Sequence, residues 1–261
     1  MQVLFRRSFD FEGELAIARK HCFVNELRSQ CSGDIVVGRY SVLPYYRELE
    51  QDLEARGGVL INNHSQHRWI ANFEYYEHVE PYTFPTWTDE NFHTCNPDNA
   101  PFVVKGRTNS RKHQWDTHMF AATRQDAVRI AAELCNDPLL GEQGILYRKY
   151  IPLETFEVGI NGLPFTNEWR FFFLGEELLT KGYYWSQAEG ADKFVLPQRA
   201  ISFARHMASI VSKHVRFFVL DIAKRADNGE WILVEVNDGQ MSGLGMCDPE
   251  ELYSNLAKQF K

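Results

Sequence analysis

The stretch LVEVNDG, residues 233–239, carries oxygen-bearing side chains near the end of a predicted strand. Glu235 and Asn237 are two residues apart, so the alternation of side chains along a strand places them on one face, together with Leu233. Carboxylate and amide oxygens are ligands that Mg²⁺ prefers in proteins. Two interpretations stay open on this stretch alone, a solvated strand end or a metal site.

An acidic residue in the preceding strand adds a third oxygen ligand. The segment VRFFVLDIAKRADNGEWILVEVN reads as a β-hairpin with Asp221 in its first strand. A two-residue Asn-Gly turn would place Asp221 opposite Val236, whereas a three-residue loop at 227–229 places it opposite Glu235. Glycine suits the third position of that longer loop, so we predict it. Two opposed carboxylates repel each other unless a cation lies between them.

A basic loop follows an apolar strand in APFVVKGRTNS. Lys105 ends the strand, and small and polar residues come next, with Arg107, Arg111 and Lys112 nearby. Backbone N–H groups in such a loop, together with cations, can bind an anion. The spacings of the Walker A and G-x-G-x-x-G motifs are absent. An ordinary exposed basic loop is the alternative.

A second predicted hairpin, EWRFFFLGEELLTKGYYW, also carries cations. A two-residue turn at 175–176 pairs Arg170 with Lys181. Two opposed cations are unfavourable unless a polyphosphate lies between them or both side chains extend into water.

A strand in ILYRKYIPLE stops abruptly at a proline. Because Pro152 has no N–H to donate, backbone groups near Tyr150 and Ile151 are predicted to be free. A free C=O and N–H two residues apart can bind an adenine edge. Together the four segments predict a site for a magnesium-bound nucleoside triphosphate.

Two kinds of element must position these segments. Strand, helix, strand and helix alternate in the first part of the chain, which indicates a small α/β unit with parallel pairing. From Pro101 onward, helices are embedded between hairpins, which is typical of an α+β fold. We therefore predict two domains, residues 1–100 and residues 101–261.

Composition limits the classes of partner. The 261 residues are 44% apolar and 24% charged, which is typical of a globular protein, and the net charge of −7 argues against general nucleic-acid binding. The five cysteines are scattered, which indicates neither a disulfide framework nor a zinc site. No signal-peptide core or long apolar run is present, so we expect a cytoplasmic protein without a membrane partner.

The order of these motifs resembles the ATP-grasp superfamily. FVVKG, a phosphate-covering loop, the hinge strand LYRKYI, and then VLDIA and LVEVNDG follow one another as in that superfamily. RKYIPLE followed by EWRFFF is similar to the clade marked by one arginine and two lysines, which is related to a eukaryotic cell-division-cycle assembly factor. The resemblance runs from Pro101 to the C-terminus. It implies a pre-ATP-grasp α/β unit followed by an α+β fold that holds ATP between two antiparallel-sheet lobes.

The resemblance also implies roles for individual residues. Lys105 would contact the α- and β-phosphates, and lid closure over ATP would depend on Arg107, Ser110 and Arg111. The carbonyl of Lys149 and the N–H of Ile151, on either side of Tyr150, would bind the adenine.

Further roles follow from the same resemblance. Glu154 would bind the ribose, with Glu157 as the alternative. Arg170 would reach the γ-phosphate or the acyl phosphate, and Lys181 would assist it. The implied magnesium ligands are Asp221, Glu235 and Asn237.

The implied reaction is activation of a carboxylate by ATP and Mg²⁺. An acyl phosphate forms, and an amine, or less often a thiol, displaces phosphate, so that Arg170 and Lys105 act by positioning and charge stabilisation. The acceptor site should use residues 237–245, which their glycines allow to turn tightly. His113 or His118 could reach the substrate, whereas His64 and His67 line a cleft rather than bind a metal.

Other functions remain open. The chain could be an ATP- and magnesium-binding protein-assembly factor without ligase turnover, or a structural protein independent of nucleotide. The sequence identifies neither the carboxylate nor the acceptor, each of which could be a small molecule, a peptide or a protein. It also leaves the oligomeric state open, although enzymes of the superfamily are often homodimers.

Overall fold

The computed structural model describes residues 1–7, 13–43, 45–137, 140 and 143–261. The strands in these ranges are β1 Gln2–Phe5, β2 Phe23–Asn25, β3 Ile35–Arg39, β4 Val59–Ile61, β5 Thr86–Thr88, β6 Phe102–Gly106, β7 Phe120–Ala121, β8 Ile145–Lys149, β9 Thr155–Val158, β10 Pro164–Thr166, β11 Glu168–Leu174, β12 Glu177–Tyr183, β13 Phe217–Lys224 and β14 Trp231–Asp238. The α-helices are α1 Glu14–His21, α2 Tyr46–Glu54, α3 His64–Ala71, α4 Tyr76–Val79, α5 Trp115–His118, α6 Arg124–Cys135, α7 Gln198–Val211 and α8 Pro249–Lys258. Within the described ranges, none of these helices combines the length and the apolar character that crossing a bilayer requires.

The first sheet is parallel and has the order β2-β1-β3-β4. Parallel neighbours need crossover connections, and α1 and α2 provide two of them. The expected α/β unit with parallel pairing is confirmed. It begins one strand and one helix earlier than the sequence patterns indicated, with β1 and α1.

The second sheet is antiparallel and has the order β5-β8-β6-β7. Its strand β5 comes from residues before Pro101, so the chain on both sides of that proline contributes to this sheet. Helix α6 covers the sheet and begins with a capping box, in which Thr123 and Asp126 each accept a backbone N–H of the other. The division into domains 1–100 and 101–261 stays a prediction.

The third sheet is antiparallel and has the order β12-β11-β13-β14. Because side chains alternate along a strand, Phe171 and Phe173 of β11 pack in a core with α7. Phe172, between them, packs in a second core with β1, β3 and α8. The predicted fold, an α/β unit followed by two antiparallel-sheet lobes, is confirmed.

A buried arginine joins the first sheet to the loop after β14. Arg39, at the end of β3, is fully buried, and its Nε and Nη2 donate to Oε1 of Glu14 at 3.0 and 2.8 Å. Its Nη1 donates to the carbonyl oxygens of Gly239 and Ser242. The loop 239–242 is therefore held by a residue 200 positions earlier in the chain.

We predict that Arg39→Ala destabilises the protein by about 3–5 kcal/mol, because it leaves the Glu14 carboxylate buried without its cation. Urea unfolding measures the free energy of unfolding. The matched control is Arg28→Ala, which removes an exposed ion pair with Asp52 and should change stability little. Equal effects of the two substitutions would contradict this account of the Arg39 contacts.

Candidate functional site

Two cavities lie in the cleft between the second and third sheets. The first, of about 120 Å³, is lined largely by apolar and aromatic side chains, among them Phe84, Trp115, Met119, Ile151 and Trp185. The second, of about 750 Å³, has a polar lining that includes His67, Arg107, Arg170, Asn237 and Asp238. The cavities meet at four residues that line both of them: Lys105, Ser110, Lys112 and Glu235.

An ion pair joins the two sheets at this meeting point. The Nζ of Lys105, on β6, donates to the carboxylate of Glu235, on β14. Burial alone would raise the pKa of Glu235, but Lys105, and then Arg148 and Lys112, bring it down to about 2. The Glu235 carboxylate is therefore ionised at neutral pH and surrounded by cations.

The predicted register of the last hairpin is confirmed, but its loop is wrong. Asp221 is the partner of Glu235, as expected. The N–H of Arg225 donates to the carbonyl of Glu230, so the loop comprises residues 226–229 rather than 227–229. A β-bulge between Asp221 and Ile222 then restores the expected register.

The bulge also corrects the predicted position of Leu233. Leu233 pairs with Ile222 and is buried in the core formed with α7. It therefore faces away from Glu235 and Asn237, whereas simple alternation had placed all three side chains on one face.

The predicted pairing of Arg170 with Lys181 is wrong. A bulge between Phe172 and Phe173 shifts the register by one residue, so Arg170 lies opposite Gly182. On its other side Arg170 pairs with Asp221, and its Nε and Nη2 donate to the two carboxylate oxygens at 2.8 Å each. Lys181 lies 4.0 Å from Glu251 and lines neither cavity.

The strand that leads into the hinge has a carbonyl that its neighbour cannot satisfy. The N–H of Lys149 donates to Pro85 at 2.8 Å, and the N–H of Tyr150 donates to Pro101 at 2.8 Å. In an antiparallel pair Pro85 would return a bond to the Lys149 carbonyl, but proline has no N–H. Sequence reasoning attributed free hinge groups to Pro152 and missed Pro85, whose signal was the proline in TFPTW.

The basic loop after β6 presents Lys112 to the cavities. Lys112 Nζ donates to the hydroxyl of Tyr184 and lies 4.2 Å from the centre of its ring and 5.2 Å from that of Trp185. Arg107 and Ser110 also line the second cavity. Arg111 instead pairs with Asp137 and lines neither cavity.

Comparison with known proteins gives the family of the chain. Residues 94–256 match the model of an ATP-grasp domain family, the third family of the clade that is named for one arginine and two lysines. The chain belongs to this ATP-grasp family. The resemblance stated from the motifs is therefore confirmed.

Solved structures share the ATP-grasp fold at low sequence identity. A RimK domain protein from Sphaerobacter thermophilus is 12% identical with a TM-score of 0.61, covering 99% of this chain and 98% of the other. The ligase PsnB, complexed with minimal precursor, Mg and ADP, is 11% identical with a TM-score of 0.59, covering 100% and 98%. D-alanine–D-alanine ligase from Bacillus anthracis is 12% identical with a TM-score of 0.57, covering 98% and 94%. No curated protein matches the chain.

The predicted magnesium ligands of this ATP-grasp chain lie together but differ in availability. Asn237 Nδ2 lies 3.0 Å from Asp221 Oδ2 and 3.3 Å from Glu235 Oε2. Glu235 and Asn237 line the second cavity, whereas Asp221 is 1% exposed and both its oxygens accept from Arg170. Among the described residues no group of three or more His, Cys, Asp or Glu side chains is arranged to hold a metal. The donor chemistry of Glu235 and Asn237 fits Mg²⁺, while Asp221 serves Arg170.

A glutamate that sequence reasoning missed lines the first cavity. Glu168 is 4% exposed, and burial raises its pKa to about 7. Glu154, the predicted ribose ligand, instead accepts from Asn167 at 2.7 Å and lies 3.2 Å from Lys224. Neither Glu154 nor its alternative Glu157 lines the cavities. The only signal for Glu168 was its position two residues before Arg170 on one strand face.

Two of the four highlighted histidines line the second cavity, His67 and His113. His67 Nδ1 lies 2.9 Å from Asp238 Oδ2, and its ring stacks on Tyr46 with the centroids 4.5 Å apart. His118 lies 3.7 Å from Glu133, outside the cavities. The loop 237–245 lines the same cavity through Met241, Ser242 and Gly243.

We predict that the free energy of unfolding depends on pH through Glu168. Folded chains keep the Glu168 proton up to about pH 7, whereas unfolded chains release it near the ordinary value of 4.5. The folded state binds more protons in this window, so this contribution to stability falls as pH rises. Glu168→Gln, which stays neutral, should therefore be more favourable relative to the wild type at pH 8 than at pH 5 in urea unfolding. A difference that does not change with pH would contradict the buried position of this carboxyl group, and exposed Glu133→Gln serves as the control.

Proposed function

We propose that this ATP-grasp protein is an ATP- and Mg²⁺-dependent ligase, which activates a carboxylate as an acyl phosphate and joins it to an amine, or less often to a thiol. The observation that carries the proposal is the pair of cavities that meet at Lys105 and Glu235. One cavity is apolar and ends at a backbone hinge, and the other is polar and much larger. This arrangement suits a nucleobase on one side of the phosphates and the reacting groups on the other.

The first cavity has the chemistry of a nucleobase site. Phe84 and Trp185 supply apolar walls, and the Lys149 carbonyl, which Pro85 leaves without a bond, would accept from the adenine amino group. The Ile151 N–H, two residues further, would donate to the ring. Lys105 and Lys112, at the junction of the cavities, would neutralise the phosphates.

Glu235 and Asn237 would hold Mg²⁺ beside the phosphates, which agrees with the Mg and ADP bound to the neighbour PsnB. Bound there, Mg²⁺ would neutralise phosphate charge and draw electrons from the transferring group. Glu235 exchanges its contact with Lys105 for this role, so one carboxylate has a partner whether the site is empty or full.

Arg170 is placed to stabilise the transferring phosphoryl group. Its guanidinium lines the second cavity, and the bidentate bond to Asp221 fixes its orientation. Its Nη1 donates to Gly243 at 2.6 Å, which ties it to the loop 237–245. A group held in this way needs little rearrangement as charge develops on the phosphoryl oxygens.

The reaction would proceed by two displacements. A substrate carboxylate attacks the γ-phosphorus and ADP leaves, which gives an acyl phosphate. The neutral amine then attacks the acyl carbon, and phosphate leaves with the proton that the amine nitrogen loses. The cavity of about 750 Å³ has room for both substrates. PsnB binds a precursor and D-alanine–D-alanine ligase is named for an amino acid, so an amino acid or peptide is the substrate class that we propose to test first.

Ligase activity is tested by trapping the acyl phosphate. Purified protein, ATP and Mg²⁺ are incubated with hydroxylamine and a panel of amino acids, dicarboxylates and short peptides, together with boiled cell extract. We expect ADP and a hydroxamate to form in equal amounts only when a carboxylate is present. Tight ATP binding without carboxylate-dependent ADP in any fraction would contradict the ligase, and a co-purifying protein would then favour the assembly factor.

We predict that Glu235→Gln reduces the magnesium dependence of ATP affinity at least about tenfold. In the wild type, ATP without Mg²⁺ must displace Glu235 from Lys105 and then lie beside an unpaired carboxylate, which weakens binding. Glutamine removes that repulsion and also weakens the metal site. Calorimetric titration of ATP with Mg²⁺ or with EDTA measures the ratio of the two affinities. Glu251→Gln, outside the cavities, is the control, and an unchanged ratio in Glu235→Gln would refute the metal role.

A further inference from the structure

We propose that Arg148, on β8, binds the α-phosphate of the nucleotide and so marks the boundary between the base and the polyphosphate. The inference rests on the proposed nucleotide site. It adds a residue that neither the motifs nor the family resemblance assigned to a ligand.

Arg148 is a buried cation that no carboxylate among the described residues pairs with directly. It is 6% exposed and lines the first cavity. Its Nη1 donates to the carbonyl of Val234 at 2.7 Å, while its buried Nε has no hydrogen-bond partner in the described part of the chain. The centre of the Phe84 ring lies 5.8 Å from its Cζ.

Such a residue is costly unless a ligand balances it. A buried guanidinium without an anion loses its hydration and gains little in return, and an unpaired N–H adds to that cost. The neighbouring lysines are already engaged, Lys105 by Glu235 and Lys112 by Tyr184. Arg148 is therefore the cation whose free donor is best explained by an anion that enters the cavity.

The strand register gives the position of that anion. Arg148 lies opposite Val103, and Lys105 lies opposite Leu146, so paired residues two positions apart share the face that lines the cleft. Diagonal neighbours of this kind are about 7–8 Å apart. Starting from the hinge at Lys149, the cleft therefore presents first Arg148 and then Lys105.

This order matches the order of groups in a nucleoside triphosphate. With the base at the hinge, the first phosphate reached is the α-phosphate, and it falls beside Arg148. Lys105, further along and paired with Glu235, is left for the β- and γ-phosphates. The division refines the family expectation that Lys105 contacts the α- and β-phosphates.

The Val234 carbonyl fixes the guanidinium for this task. Val234 lies directly before Glu235, at the bulge in β14. The hydrogen bond from Arg148 thus connects the strand of the hinge to the strand of the metal ligands. The bulge that aligns Glu235 with Asp221 also places the carbonyl that orients Arg148.

The test compares adenosine, AMP, ADP and ATP, each titrated calorimetrically with Mg²⁺ present. AMP adds only the α-phosphate to adenosine, so the ratio of their affinities isolates it. In Arg148→Gln we expect the advantage of AMP over adenosine to fall about tenfold or more, because a charge-assisted hydrogen bond is lost. In Lys105→Ala that ratio should persist, while the advantage of ATP over AMP falls.

Controls separate this role from general charge and folding effects. Arg129→Gln removes a cation from the exposed surface of α6, where it pairs with Glu133, and should leave every ratio unchanged. Arg148→Lys keeps the charge and loses the fork, so the AMP ratio should be intermediate, and adenosine affinity reports whether each variant keeps the site. Should Arg148→Gln fail to fold, the wild-type ratio and Arg148→Lys still decide.

Either of two results would overturn the inference: an unchanged AMP-to-adenosine ratio in folded Arg148 variants, or a wild type that binds adenosine as tightly as AMP. Neither affects the proposed function, which stands as long as the wild type binds ATP with Mg²⁺. A wild type that binds none of these nucleotides would overturn both.

Discussion

The contact between Lys105 and Glu235 is the interaction on which the rest of the site depends. Two side chains from different sheets bring opposite charges into a cleft that is poor in water. Neither charge can remain there alone, because desolvation would cost more than any other single contact at the site returns. The cleft therefore forms only where a cation on β6 meets an anion on β14, and a ligand must replace that pairing with another of equal charge balance.

The same constraint explains the other buried ions. Arg170 is held by Asp221, and Arg39 is held by Glu14 while it binds the loop 239–242. Each pair joins parts of the chain that are distant in sequence, and each holds a group that faces the second cavity. Arg148 departs from this pattern because its partner among the described residues is a carbonyl and not a carboxylate. The departure is what makes it informative about the ligand.

Motif order and strand alternation were sufficient to predict much of this architecture. The strand containing Lys105, helix α6 and the opposition of Asp221 to Glu235 all follow from local patterns. Bulges were not predictable, since an extra residue in one strand leaves no periodic signal, and they account for the errors at Leu233 and Lys181. Partners chosen by tertiary packing were equally hidden. Arg111 pairs with Asp137, and Glu154 pairs with Lys224, through contacts that no spacing in the sequence indicates.

The most direct measurement is a crystal structure of the protein with a non-hydrolysable ATP analogue and Mg²⁺. The account predicts the adenine at the Lys149 carbonyl, the polyphosphate beside Lys105, and the metal on Glu235 and Asn237, with the contact between Lys105 and Glu235 broken. A nucleotide bound elsewhere, or an intact contact between Lys105 and Glu235 beside a bound nucleotide, would contradict it.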